Sequence, residues 1–283
     1  DLNEIKIVLN LFELKLEAKT LGSKLRNKKK ILEIENISTQ IPLKSLFTKN
    51  VLIENLQIST KSIKIKDLIS FARIINQNPE LFVLENIVKK GFLLANINLN
   101  FDESGNIKKN YKIKGLIKDA KIDIIKKYKI DNLNLDFNYK KDTLNFQNIN
   151  LIFNDLNFYS KKLNFTNVAD KTLIEGEIEN KNFILDNKNT QIFVKSYFPN
   201  LDVKKIEKSS KNNFAFKINK KFQLSDLKFT SKVKLKEFLF VNNIKAQNFF
   251  PELNKEIKLT NHEINIDYKK KTLELNGLGK ILL

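Results

Sequence analysis

Few residues in this chain are equipped for chemistry. His262, in Thr260-Asn261-His262-Glu263-Ile264, is the single histidine of 283 residues, and cysteine is absent. That removes thiolate nucleophiles and Cys-ligated zinc, and any Ser-His-Asp arrangement would depend on His262 alone. Because a strand pattern resumes at Ile264, the spacing predicts a solvated histidine at a strand edge. Carboxylates come close together at Asp102-Glu103 and at Glu175 and Glu177. Paired acids serve glycoside hydrolysis when they face each other across a cleft. These fall instead in a turn and on a polar strand face beside lysines. Gly277 and Gly279 form one G-x-G inside a strand pattern, without a Walker A loop or a G-x-G-x-x-G run. Glycines so placed permit a bulge or close strand packing. The reading is a non-enzymatic protein with no catalytic residue, no metal and no cofactor.

Composition narrows the partners. Lys plus Arg number 51 against 32 Asp plus Glu, a formal charge of +19, yet only Arg26 and Arg73 are arginine. Lysine rising together with Asn, Ile and Phe is what an AT-rich genome produces without selection for an anionic partner. The arginine forks that read bases and phosphates are missing, so nucleic acid is not an expected partner. A basic module on an anionic surface would use Lys28-Lys29-Lys30, Lys126-Lys127 and Lys269-Lys270-Lys271. At 42 % hydrophobic residues the chain has enough apolar material to fold. With no Met in the sequence, the chain is expected to follow a removed or trimmed segment. The longest uncharged apolar stretch, Gly91 to Phe101, is well short of the roughly 18 to 20 residues of a spanning helix.

Period-two alternation dominates the elements, as in strands with one buried and one wet face. It runs through residues 12–18, 31–37 and 51–58. Ala95, Ile97, Leu99 and Phe101 then alternate with Asn, and the turn 102–106 leads into 107–117 as a hairpin. Leu133, Leu135, Phe137 and Tyr139 continue it. The phase slips at Gln147-Asn148, which predicts a bulge. Strands are expected again at 172–179, 224–240 and 256–282, with breaks at Pro199 and Pro251.

One interruption is helical. Leu68, Ile69, Phe71, Ile74 and Ile75 recur at helical spacing, and Asn78-Pro79-Glu80 supplies a cap and a proline suited to a first turn. Lys89-Lys90-Gly91 reads as a basic last turn and a glycine stop. Two helices, about 67–77 and 79–89, are predicted to cover one end or face of a sheet. The expected organisation is one elongated β-rich body: N-terminal strands over 1–66, a helical insert over 67–90 and the main β-groove over 91–283. By pattern alone, such strands either close on a filled core or form an open trough with an apolar wall.

Ile63-Lys64-Ile65-Lys66-Asp67-Leu68-Ile69-Ser70-Phe71-Ala72-Arg73, Lys90-Gly91-Phe92, Phe101-Asp102-Glu103-Ser104-Gly105-Asn106-Ile107 and Tyr111 to Asp119 carry a family resemblance. So do Ile264-Asn265-Ile266-Asp267-Tyr268 and Leu273 to Ile281, a strand-and-glycine ending. The chain resembles AsmA-like envelope proteins of Gram-negative bacteria and their TamB and YhdP relatives. That resemblance implies a periplasmic β-rich body, held to the inner membrane by an N-terminal helix absent from this sequence. It also implies a hydrophobic groove for phospholipid or another acyl lipid in envelope biogenesis, and an outer-membrane assembly partner. It brings no catalytic motif. The expected fold is therefore mainly β, an elongated, curved antiparallel sheet forming an apolar groove, with the two helices near 67–89. If the odd residues of 95–101 face the groove, Ile97, Leu99 and Phe101 line it, with Ile113, Ile117, Leu133, Leu135 and Phe137 on neighbouring strands.

Overall fold

The computed structural model describes residues 1–2, 4–27, 30–47, 52–75, 79–124, 128–185, 194, 202–221, 223–241 and 256–282. The protein is mainly β and antiparallel, and its contacts group it into two compact units, Asp1–Asn154 and Asp155–Leu283. The first unit holds β1 (Ile5–Asn10), β2 (Lys15–Leu21), β3 (Lys24–Asn27), β4 (Lys30–Pro42), β5 (Asn55–Thr60) and β6 (Ile63–Lys64). It continues with β7 (Val88–Asn100), β8 (Lys112–Ile124), β9 (Tyr128–Lys140) and β10 (Thr143–Phe153). Its strand order is β1-β2-β4-β5-β7-β8-β9-β10, with β3 paired to β4 and β6 to β7. The second unit holds β11 (Leu156–Val168), β12 (Lys171–Leu185), β13 (Asp202–Asn219), β14 (Leu224–Val241), β15 (Glu256–Lys269) and β16 (Thr272–Leu282), paired in chain order.

Alternation explains the strands, and paired residues share a face. The slip predicted at Gln147-Asn148 is a β-bulge: the register shifts between Gln147 and Asn150, and Asn148 takes φ 52°. Asp119 (φ 50°) on β8 and Asn132 (φ 51°) on β9 bulge likewise, which bends those strands locally. The hairpin after Asn100 is tied by Asp102, whose carboxylate accepts from the Ser104 and Asn106 amides. Those hydrogen bonds hold the Asp102 carboxyl below its ordinary value. Strand pairing resumes at Lys112, with Phe101 and Ile107 joined as an isolated bridge. The breaks expected at Pro199 and Pro251 lie outside the described residues, as do Asn78, Lys28-Lys29 and Lys126-Lys127.

The helices are α1 (Leu43–Leu46), α2 (Ile65–Ile75) and α3 (Pro79–Ile87). α2 packs on β4, β6 and β7, and α3 on β7 and β8, so they cover one end of the first unit's sheet. Phe71 and Leu68 of α2 meet Leu32 and Ile63 there. Glu85 of α3 accepts from Ser70 and pairs with Arg73, whose guanidinium lies 5.0 Å from the Phe82 ring centroid. The glycine stop is corrected: α3 ends at Ile87, and Lys89, Lys90 and Gly91 already belong to β7. Gly91 is buried at φ +132°, where a Cβ would sit 2.8 Å from Ala120 of β8. It serves a close strand approach, not a helix end.

Lysines on the second unit's polar face are matched by acids. Lys205 lies 2.7 Å from Glu237, which also meets Lys258 at 3.2 Å, and Lys211 bridges Glu177 and Glu179 at 3.1 and 3.0 Å. Hydrogen bonds from Lys205 and Lys258 hold the Glu237 carboxyl below its ordinary 4.5, and those from Lys211 and Lys236 do the same for Glu179 and Glu207. A carboxyl lowered in the folded state stabilises the fold above its unfolded value, and this contribution is lost as pH falls through that value toward the folded one. Thermal melting followed by circular dichroism is therefore expected to show a midpoint that holds from pH 7 to 5. Below pH 4.5 it should drop by a few degrees, limited by solvent screening. In Glu237→Gln that drop should be smaller; a flat midpoint in the parent down to pH 3.5 would contradict the ion ladder's role.

Candidate functional site

The antiparallel register of the first unit collects its apolar residues on one side. A single row runs Ile5, Thr20, Ile37, Ile58, Ile97, Ile113, Tyr139 and Leu144 across all eight strands of the main path, each paired with the next. The row on the opposite face reads Asn36, Ser59, Asn96, Lys114, Asn138 and Asn145 from β4 to β10. No charged residue falls in register with the apolar rows of this unit among the described residues. α2 and α3 pack on the strands at one end of this sheet, and α1 contacts β4.

Seven of the eight residues singled out by periodicity share this face. Ile97 pairs with Ile113, Leu99 with Leu56, Ile117 with Leu135, Leu133 with Ala120, and Phe137 with Gly115 and Phe146. Leu135 is buried at 9 % exposure, whereas Ile97, Leu99, Ile113, Ile117, Leu133 and Phe137 are half-buried. Phe101 stands apart. It lies past the end of β7 and lines a hollow of about 660 Å³ with Leu14, Phe47, Leu52 and Ile53.

The second unit repeats the two-faced arrangement expected for the β-rich body, at residues that periodicity had not singled out. One row runs Leu163, Gly176, Phe214, Phe229, Tyr268 and Leu273, and the next runs Ile178, Asn212, Ser231, Ile266 and Leu275. Phe214 and Phe216 stack with ring centroids 6.0 Å apart, and Phe238 and Phe240 at 5.0 Å. The recurrence of Phe at every second position over 214–216 and 238–240 was the available signal.

The residues first considered for chemistry do not converge. Glu175 and Glu177 lie on the polar face, and Asp102 and Glu103 in the hairpin turn. His262 is not at a strand edge: it is half-buried on β15, between β14 and β16, and its Nδ1 lies 3.0 Å from the Thr260 carbonyl oxygen. Gly279 makes room for it, since a Cβ there would be 2.0 Å from the imidazole ring. No group of three metal-ligating side chains occurs among the described residues, and none of their helices is long and apolar enough to cross a membrane. No family model, curated protein or solved structure matches the chain. What the arrangement can do chemically is remove apolar surface from water, since the part of this Ile, Leu and Phe face that remains solvent-exposed favours an apolar guest at about 25 cal/mol per Å² buried.

Proposed function

We propose that this chain binds lipid, as a lipid-binding or lipid-transfer groove of the Gram-negative periplasm, tied to the inner membrane in the full-length protein and serving envelope biogenesis. The observation that carries the reading is the charge-free apolar face of the first unit, in register across eight strands. An acyl chain suits such a face: it is long, apolar and indifferent to side-chain detail, and a strand of about ten residues spans roughly 33 Å. The resemblance to AsmA-like proteins adds the compartment, the anchor and an outer-membrane assembly partner as parts of the same proposal. A non-catalytic scaffold with a closed core would need a second layer over these rows. A basic module for anionic surfaces is disfavoured by the acid partners of Lys205, Lys211 and Lys258.

The test is native gel electrophoresis with a fluorescent phosphatidylethanolamine. Fluorescence is expected to migrate with the protein and to be displaced by unlabelled phospholipid. Protein running dark under both conditions would support the scaffold.

A further inference from the structure

In the second unit one lysine stands on the wrong face. On β13, Ile206, Lys208, Ser210, Asn212, Phe214 and Phe216 share a phase, and the register runs Phe183, Lys208, Leu235, His262 from β12 to β15. The flanking row is Leu185, Ile206, Phe238 and Leu259, wholly apolar. Lys208 is the only lysine in register with the apolar rows of either unit among the described residues. Its Nζ lies 4.7 Å from the Phe183 ring centroid, and no carboxylate pairs with it among the described residues. Every other strand lysine named above has a carboxylate partner or projects from the polar face. Burial alone pushes the Lys208 ammonium below its ordinary value. The other side of Lys208 is polar and buried: Asn180 pairs with Ser210, and Ser231 donates to the Asn212 side chain at 2.6 Å. The Asn180 side-chain carbonyl oxygen is buried without a hydrogen-bond partner among the described residues.

A half-buried cation with no carboxylate partner among the described residues, next to a row of Leu, Ile and Phe, matches an amphiphile in both charge and polarity. We propose that Lys208 seats the anionic head of an acyl ligand, a phosphate or carboxylate, while its chain lies along Ile206, Leu235, Phe238 and Leu259. The inference rests on the lipid-binding reading and adds to it the ligand's charge and the position of its head.

Isothermal titration of the purified chain with dodecyl phosphate, dodecanol and inorganic phosphate tests this, using the parent, Lys208→Gln and Lys208→Arg. Both variants keep a long stem, and circular dichroism checks their folding. The expected result is a loss on the order of tenfold in dodecyl phosphate affinity in Lys208→Gln, the size of one charge-assisted contact. Lys208→Arg should retain affinity, and dodecanol binding should change less than about twofold across all three proteins. Equal dodecyl phosphate binding in the parent and Lys208→Gln would overturn the head site and leave the apolar face as the binding surface. Inorganic phosphate binding as tightly as dodecyl phosphate would overturn it in favour of a free-ion site. If neither dodecyl compound binds the parent, the lipid reading fails and the head site with it.

Discussion

Ile113→Glu is expected to strip bound lipid from the protein while its circular dichroism stays β-like. Ile113 lies mid-row, paired with Ile97 and Tyr139, and is half-buried. In the free protein a glutamate there keeps contact with water, so folding tolerates it. Under an acyl chain the carboxylate would lose that water without gaining a partner, at a cost of several kcal/mol, and affinity should fall by about 100-fold or more. Lys114→Glu, one residue along, falls on the polar face beside Asn96 and Asn138 and is expected to keep its lipid. Equal lipid content in parent and Ile113→Glu would contradict the account, as would equal loss in both variants. Leu135→Glu should also lose lipid. Because Leu135 is only 9 % exposed, its charge burdens the folded state as well and makes it the less selective probe.

Gly115→Val is expected to cost more stability than any other single change on this face. A Cβ at Gly115 would sit 2.2 Å from the Leu94 carbonyl oxygen on β7 and 2.6 Å from the Phe137 ring on β9. The ring can rotate away, but the carbonyl is fixed by the ladder in which Ala95 pairs with Gly115. Overpacking against backbone costs about 3 kcal/mol or more, so the melting midpoint should fall on the order of 10 °C. Adding Phe137→Leu should not restore it, because the tighter contact is with backbone. Gly105→Ala offers the contrast: at φ +80° with nothing within 4 Å, it carries only backbone strain, about 1 kcal/mol. An unchanged midpoint in Gly115→Val would mean that β7 and β8 do not approach as described.

What was legible in the sequence was local. Period-two alternation placed Ile97, Leu99, Ile113, Ile117, Leu133, Leu135 and Phe137 on one face because alternation and sheet geometry are the same fact. The phase slip at Gln147-Asn148 located a bulge because an extra residue shifts the pattern of everything after it. Errors arose where a distant contact decided the outcome. Gly91 resembles a helix stop until Ala120 arrives from another strand, and His262 looks like an edge residue until β16 pairs beyond it. Phe101 keeps the alternation, but the turn held by Asp102 ends the ladder first, and its side chain joins a different hollow. Lys208 could have been found. Its phase with Ile206, Phe214 and Phe216 is visible in the text, but bulges on neighbouring strands hide which residues face it until the register is known.

The proposal that this chain binds lipid is tested most directly by native mass spectrometry of the purified chain, as isolated and after incubation with phospholipid vesicles. Discrete adducts are expected, their extracted mass identifying a phospholipid, reduced in Ile113→Glu and retained in Lys114→Glu. A bare protein mass under both conditions would contradict it and favour a scaffold whose apolar rows are filled by protein.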